Sequence, residues 1–179
     1  SNFDILKANG IYAPQVMNTT GKVYFVNNAT TGLPDGAIGG SDGNSGLSPL
    51  EPFSTIDYAV GRCTASRGDV IYVMPGHSET VIAAAGIDLD VAGISVVGLG
   101  NGRNRPLISF TTAVGADIDF DAANIKLTNF QLDTTGIDAL TGPFDINAAD
   151  CEISHCEILA ADAGGQPTQL VVTATAAAR

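Results

Sequence analysis

The chain has 179 residues and a mass of 18.2 kDa, and 45% of its residues are hydrophobic, which is enough apolar content for a folded domain. Charged residues make up only 15%, and 19 acidic against 8 basic residues give a formal net charge of -11. The acidic balance argues against a nucleic-acid partner, since phosphate contacts need Lys and Arg, and no apolar run approaches the roughly 18 residues of a membrane-spanning helix.

The first third of the chain predicts an arm, a strand and a long loop. Residues 1–21 lack clear periodicity and predict an extended arm. Residues 22–27 are rich in β-branched and aromatic side chains and predict a strand. Residues 28–52 are dominated by Gly, Asn, Asp and Ser, which is typical of turns. We therefore divide the chain into an N-terminal arm, 1–21, and a single domain, 22–179.

One helix is predicted, at residues 54–63. Ser54 and Asp57 resemble a capping box, with Asp in place of Glu. Apolar residues follow at roughly helical spacing and form one face: Phe53, Ile56, Ala59, Val60 and Cys63. The helix is expected to end before Gly68, where a buried strand bounded by turn residues begins and runs to Gly76.

An internal repeat is the strongest pattern in the sequence. Residues 87–99, 118–130 and 144–156 align without gaps, with apolar residues at six shared positions. The seventh position holds Gly93, Asn124 or Asp150, which suit a turn. Each unit therefore predicts a strand, a tight turn and a second strand, and units repeated at this spacing predict a solenoid of stacked parallel strands. Residues 106–110 predict a further strand in the longer gap between the first two units.

The repeat also aligns a set of acidic residues. If Ile87 and Leu89 point inward, the alternating residues point outward, and stacking places them in two adjacent ladders: Asp88, Asp119 and Asp145 in one, and Asp90, Asp121 and Asn147 in the other. Three interpretations stay open. The ladders form a solvated face that blocks unwanted sheet pairing, which we favour, or a calcium site, or a catalytic carboxylate pair. The calcium ligands would be Asp88, Asp90, Asp119, Asp121 and Asp145.

Other chemistry-bearing residues give no site. Cys63, Cys151 and Cys156 form no CxxC pair, so buried reduced thiols are expected rather than a zinc site. His155 falls at a turn-like position of the repeat and is expected at the surface. Trp is absent and most basic residues lie away from the acidic positions, which argues against polysaccharide catalysis. No catalytic residue is therefore assigned.

The segments 42–49, 52–59 and 68–76 resemble the start of right-handed parallel β-helix proteins of the pectate-lyase-like superfamily. The resemblance covers about residues 22–160. It implies an all-β, right-handed parallel β-helix (a solenoid) with one short N-terminal capping helix, to which the sequence adds an extended N-terminal arm. This superfamily includes polysaccharide lyases and hydrolases as well as phage tailspikes and other virion proteins, so the fold alone does not give the function.

The expected function is a non-enzymatic structural protein of a bacteriophage virion. Only four or five coils fit the chain, which is few for a substrate groove, and residues 169–178 show no cap for the last coil. A homo-oligomer on the virion surface, bound to capsid or other virion proteins as a decoration protein or short spike, agrees with this. The resemblance implies a trimer. The alternative is a carbohydrate-active enzyme, lyase or hydrolase, or a carbohydrate-binding module in a secreted, extracellular setting.

Overall fold

The computed structural model describes residues 20–33, 35–160 and 167–173. The arm expected at residues 1–21 therefore lies outside the described residues, apart from its last two positions. The described elements, in chain order, are β1 (Val23–Val26), α1 (Ile56–Val60), β2 (Val70–Val73), β3 (Ser78–Val81), β4 (Ile87–Asp88), β5 (Ser95–Gly98), a 3-10 turn (Gly102–Asn104), β6 (Leu107–Phe110), β7 (Ile118–Phe120), β8 (Lys126–Thr128), β9 (Gln131–Asp133), β10 (Phe144–Ile146), β11 (Glu152–Ser154), β12 (Glu157–Leu159) and β13 (Val171–Thr173).

The strands wind into a parallel β-solenoid of about four coils. Each of the four complete coils contributes one strand to each of three sheets, and β1 precedes them in sheet A. Sheet A stacks β1, β2, β5, β8 and β11, sheet B stacks β3, β6, β9 and β12, and sheet C stacks β4, β7, β10 and β13. All of these pairings are parallel. The expected all-β solenoid with one helix is confirmed.

The sequence repeat corresponds to one corner of the coil. Each unit runs from a sheet C strand, through a tight turn, into a sheet A strand. The turn residue at the seventh position has a positive φ in all three units: 75° at Gly93, 60° at Asn124 and 58° at Asp150. Gly, Asn and Asp tolerate this left-handed conformation better than other residues do. The predicted strand–turn–strand unit is confirmed.

The core is a column of apolar side chains inside the coils. Stacked partners from neighbouring coils have no more than about 1% exposure, as in the row formed by Ile71, Val96 and Leu127 in sheet A. The rings of Phe120 and Phe144 meet edge to face at 6.2 Å. Burial of each such side chain stabilises the fold by about 1.5–3 kcal/mol, so the period-two pattern of the strands is the main source of the solenoid's stability.

Most strands of sheet B were not predicted from the sequence. Only β6 was expected, as residues 106–110, whereas β3, β9 and β12 carried no clear strand pattern. The segment Gln131–Asp133 shows why: it has three residues with a single apolar one, Leu132. Its strand geometry comes from pairing on both sides with β6 and β12, which is a tertiary effect.

The helix is shorter than expected, and its N-cap lies one residue later. Thr55, not Ser54, is the N-cap, and its side chain accepts the N–H of Tyr58. The carboxylate of Asp42 accepts the N–H of both Ser54 and Thr55, which uses Ser54 in the preceding turn. Asp57 does not complete a capping box, because its Oδ1 accepts the N–H of Asp88 at 3.1 Å. The helix ends at Val60.

The position of α1 agrees with the capping role that the resemblance implies. Its buried face, Ile56, Ala59 and Val60, packs against β1, β2 and β4 at the first coil. The loop between β1 and α1 adds to the cover, because Gly46 O accepts the N–H of Phe25 at 2.8 Å on the outer edge of β1. This end of the solenoid is closed.

Candidate functional site

The first aspartate ladder lies where the repeat predicts it. Asp88, Asp119 and Asp145 occupy the same rung of β4, β7 and β10. The residues before them, Ile87, Ile118 and Phe144, are buried in the core, so the aspartates point to the outer face. Parallel strands are about 4.8 Å apart, and three carboxyl groups are therefore stacked at roughly that spacing.

The second ladder is linked to the first by an amide. Asn147 Nδ2 donates to Asp119 Oδ1 at 2.8 Å and to Asp121 Oδ1 at 3.0 Å. Asp90 and Asp121 are exposed, whereas Asp119 is partly buried. The one non-acidic member of the six positions thus bridges two carboxylates and reduces their repulsion.

The first ladder is only partly solvated, whereas the interpretation that we favoured from the sequence is a fully solvated face. The Oδ1 atoms of Asp88 and Asp145 are buried without a hydrogen-bond partner. Buried acceptors are normally paired, so these two oxygens lie in an unfavourable environment on either side of Asp119.

Burial and crowding change the acidity of this face. Burial, followed by the charges of neighbouring aspartates, raises the pKa of Asp119 to about 6, although the hydrogen bond from Asn147 opposes the shift. Burial also raises the pKa of Asp88, again helped by nearby aspartates. The pKa of Asp117 is raised mainly by burial, although the N–H of Ala85 opposes the shift. Three carboxyl groups on one face therefore hold protons more strongly than free aspartates do.

The side chains of the aspartate ladders are not gathered into a preformed calcium site. Among the residues that the structure describes, no three His, Cys, Asp or Glu side chains converge in a way that could hold a metal ion. Calcium needs six to eight oxygen ligands at short range, so binding at Asp88, Asp90, Asp119, Asp121 and Asp145 requires the side chains to rearrange. A calcium site at the ladder stays a prediction.

The remaining candidate residues have structural environments. Lys126 forms an ion pair with Glu152 at 3.0 Å on the surface. The three cysteines are free, as expected, but only partly buried. Burial, with the nearby charge of Asp69, raises the pKa of Cys63 to about 12, so its thiol is a poor nucleophile. His155 is exposed at a corner with φ of 57°, which confirms its turn position.

Two buried polar groups were missed by sequence reasoning. The first is Asp69, which is fully buried and accepts the N–H groups of Lys22 and Thr64 and two guanidinium bonds from Arg67. Burial alone would raise the pKa of Asp69, but these hydrogen bonds outweigh burial and lower it. A basic residue two positions before a buried-strand aspartate was the available signal.

The second missed group is His77, whose side chain has 0% exposure. Its Nδ1 accepts the N–H of Asn28 at 3.1 Å, and its Nε2 lies 3.0 Å from Glu79 Oε2. Because Nδ1 accepts, the ring proton lies on Nε2 and is donated to Glu79. Glu79 Oε2 also accepts the N–H of Ile56 at the start of α1. Nothing in the sequence brings residues 28, 56 and 77 together.

Comparison with known proteins adds no relative: no family model, curated protein or solved structure matches this chain. The chain belongs to the structural class of parallel β-solenoids by its observed fold, whereas the pectate-lyase-like resemblance rests on the three sequence motifs alone. No helix in the described ranges is long and apolar enough to cross a membrane.

Proposed function

We propose that this chain is a non-catalytic structural protein that self-associates through one end of its solenoid, as a capsid-decorating or short spike component on the surface of a bacteriophage virion. The observation that carries the proposal is that one end of the solenoid is covered by α1 and a loop, whereas the other end has unpaired strand edges. The virion setting and its capsid partners come from the resemblance.

One end of the solenoid is open in the described part of the chain. No described strand pairs with the outer edges of β11, β12 and β13. Their inward residues are only partly buried, unlike their equivalents in earlier coils: Ile153, Ile158 and Val171. Leu170, immediately before β13, is 51% exposed. Unpaired parallel edges with apolar side chains favour the addition of further strands.

The occupant that fits this end best is a second copy of the chain. The opposite end is covered by α1 and by the loop over β1, so copies cannot stack head to tail without displacing that cover. The same open end in another copy offers complementary free edges, which gives a closed, isologous contact. Such a contact joins two copies, whereas the resemblance implies three; the mass of the particle distinguishes the two.

Size-exclusion chromatography with light scattering tests the proposal. We expect a stable mass that is a multiple of 18.2 kDa. Leu170→Lys, which puts a charge at the open end, should dissociate the oligomer. Leu47→Lys is the matched control, because Leu47 is 56% exposed in the loop at the closed end and its replacement should leave the mass unchanged.

A monomer at micromolar concentration would contradict self-association, and equal effects of the two lysine variants would place the contact elsewhere. The virion setting has a separate test, the order of genes around this one. Capsid and portal genes beside it would support the setting, and a neighbourhood of polysaccharide-processing enzymes would contradict it.

A second candidate is a carbohydrate-active enzyme, favoured by one observation. Asp119, whose pKa is raised to about 6, lies beside carboxylates that include Asp121. Glycoside hydrolases use such a pair, a carboxylic acid that donates a proton and an ionised carboxylate. Incubation with polygalacturonate or alginate, with and without calcium, decides between the candidates. We expect no products; release that is lost in Asp119→Ala together with Asp121→Ala would establish the enzyme.

A further inference from the structure

We propose that the three terminal strands at the open end, β11, β12 and β13, are kept electrically neutral so that they can meet the same strands of a second copy, and that Arg105 and Lys126 provide this neutrality. The proposal rests on the self-association proposed above and names the electrostatic condition for it. The condition matters because the chain carries a net charge of -11, and like charges brought together at a contact oppose association.

In sheet A, the carboxylate of the terminal strand is paired with a cation from the coil below. Glu152 in β11 is the register partner of Lys126 in β8, and Lys126 Nζ lies 3.0 Å from Glu152 Oε1. The other two residues of β11, Ile153 and Ser154, are uncharged. The terminal strand of sheet A therefore carries one acidic side chain, and its charge is balanced.

In sheet B, the balancing cation comes from two coils below. Arg105 precedes β6, and its side chain passes β9 to reach β12. There Nη2 lies 3.0 Å from Glu157 Oε2, and Nη1 donates to the carbonyl of His155 at 3.1 Å. Gln131 in β9 donates to the same carboxylate oxygen of Glu157 at 3.0 Å. The guanidinium is thus held in place by bonds to two residues of the last coil.

Where earlier coils carry aspartates, the terminal strands carry apolar residues. The first aspartate ladder runs through β4, β7 and β10, but the register partner of Asp145 in β13 is Val172. In sheet B, likewise, Asp133 of β9 is paired with Leu159 of β12. Both acidic rows therefore end one coil before the open end, and β13 contains no charged residue.

A second copy of the chain is the occupant that these features fit. Unpaired carboxylates at this end would attract a basic partner, whereas they would repel a copy of this acidic chain. Paired charges in sheets A and B and an uncharged strand in sheet C remove that repulsion, while the acidic ladders remain on the side of the solenoid. Two of the chain's eight basic residues are placed where they neutralise this end.

Replacing both cations tests the proposal. Arg105→Gln together with Lys126→Gln leaves the carboxylates of Glu152 and Glu157 unpaired, so each open end becomes acidic. At about 0.05 M salt, we expect the dissociation constant of the oligomer, measured by sedimentation equilibrium, to rise about tenfold. At about 0.5 M salt, screening should remove most of that rise. An unchanged dissociation constant at low salt would overturn the proposal.

Two further variants separate charge at the open end from other effects. Lys22→Gln together with Arg103→Gln makes the same change in net charge at exposed positions outside the terminal strands, and it should leave the dissociation constant unchanged. Adding Glu152→Gln and Glu157→Gln to the first double variant removes all four charges, so association should return close to that of the unmodified chain. A fourfold variant that associates as weakly as the double variant would contradict the proposal, because the ion pairs would then act by holding the shape of the last coil.

The unmodified chain separates this proposal from self-association itself. A monomer at both salt concentrations would overturn both proposals, whereas an oligomer that the double variant leaves intact at low salt would overturn the charge proposal alone. If the fourfold variant does not fold, the salt dependence of the double variant still decides, since an oligomer weakened by a loss of shape would not recover at high salt.

Discussion

At the scale of single residues, left-handed backbone positions define the corners of the solenoid. Gly93, Asn124 and Asp150 are three different residue types with almost the same φ at one corner. A second corner uses Asn129, whose side-chain amide donates to the carbonyls of Gly98 and Gly100. Residues with a small or locally bonding side chain adopt this conformation at low cost, which suits them to these corners.

Replacement of Asn124 measures the cost of the corner. Asn124→Ala should lower the free energy of unfolding by about 1 kcal/mol, since a Cβ without a compensating polar group is strained at positive φ. Asn124→Gly removes that strain and should be close to neutral. Urea denaturation of the two variants is the measurement, and equal destabilisation by Ala and Gly would show that the backbone conformation is not the cause.

At the scale of elements, the N-terminus of α1 shows how a local pattern can be overridden. The spacing of Ser54 and Asp57 predicts a capping box, but Asp42 takes the backbone N–H of Ser54 and Asp57 binds β4. The cap moves to Thr55 because a loop residue twelve positions before Ser54 fixes the preceding turn. Sequence spacing identified the helix and its buried face correctly but not the residue that begins it.

A matched pair of alanine variants tests the assignment of the cap. Thr55→Ala removes the hydroxyl that accepts the N–H of Tyr58 and should reduce stability by about 1 kcal/mol. Ser54→Ala keeps the backbone N–H that Asp42 binds and should have a much smaller effect. Thermal unfolding of both variants under the same conditions is the measurement. A larger loss of stability from Ser54→Ala than from Thr55→Ala would contradict the assignment of Thr55 as the cap.

At the scale of the whole molecule, acidic charge is concentrated on the outer face of sheet C. The ladder there spans three coils, and the chain carries a net charge of -11. Asp119 has a raised pKa of about 6, so its contribution to stability is complete below the pKa of an unfolded aspartate and is lost as the pH rises through about 6. Asp69, with a lowered pKa, acts in the opposite direction and loses its contribution only in stronger acid.

Asp119→Asn should therefore flatten the pH dependence of stability. Relative to the unmodified chain, the variant should gain about 1–2 kcal/mol on going from about pH 4.5 to about pH 7.5, after allowance for partial exposure. Chemical denaturation across this range is the measurement. Asp138→Asn, which removes one charge from an exposed loop, is the control and should give parallel curves. Two identical pH profiles for Asp119→Asn and the unmodified chain would contradict the argument.

Calcium binding is a second, independent test of the acidic face of sheet C. If the ladder binds calcium after rearrangement, about 1 mM of the ion should raise the melting temperature of the unmodified chain near neutral pH. Asp119→Asn should reduce that rise, and Asp138→Asn should not. If calcium does not raise the melting temperature, repulsion between the aspartates is limited by proton binding and by the hydrogen bonds of Asn147 instead.

The coil can be derived from the sequence. The spacing of the repeats, the alternation of apolar residues and the turn residues at the seventh position specify stacked strands and the register of the aspartate ladder, because each depends only on local periodicity. The extended acidic face follows from the same register and required no tertiary information.

Contacts between distant segments of the chain become visible only in the folded protein. The unpredicted strands of sheet B, β3, β9 and β12, exist because neighbouring coils pair with them, and the cap of α1 depends on Asp42. The burial of Asp69 and His77, and the orphaned oxygens beside Asp119, arise only when residues far apart in the chain meet. The local sequence pattern does not predict these long-range contacts, because burial and long-range hydrogen bonding depend on how whole coils pack together.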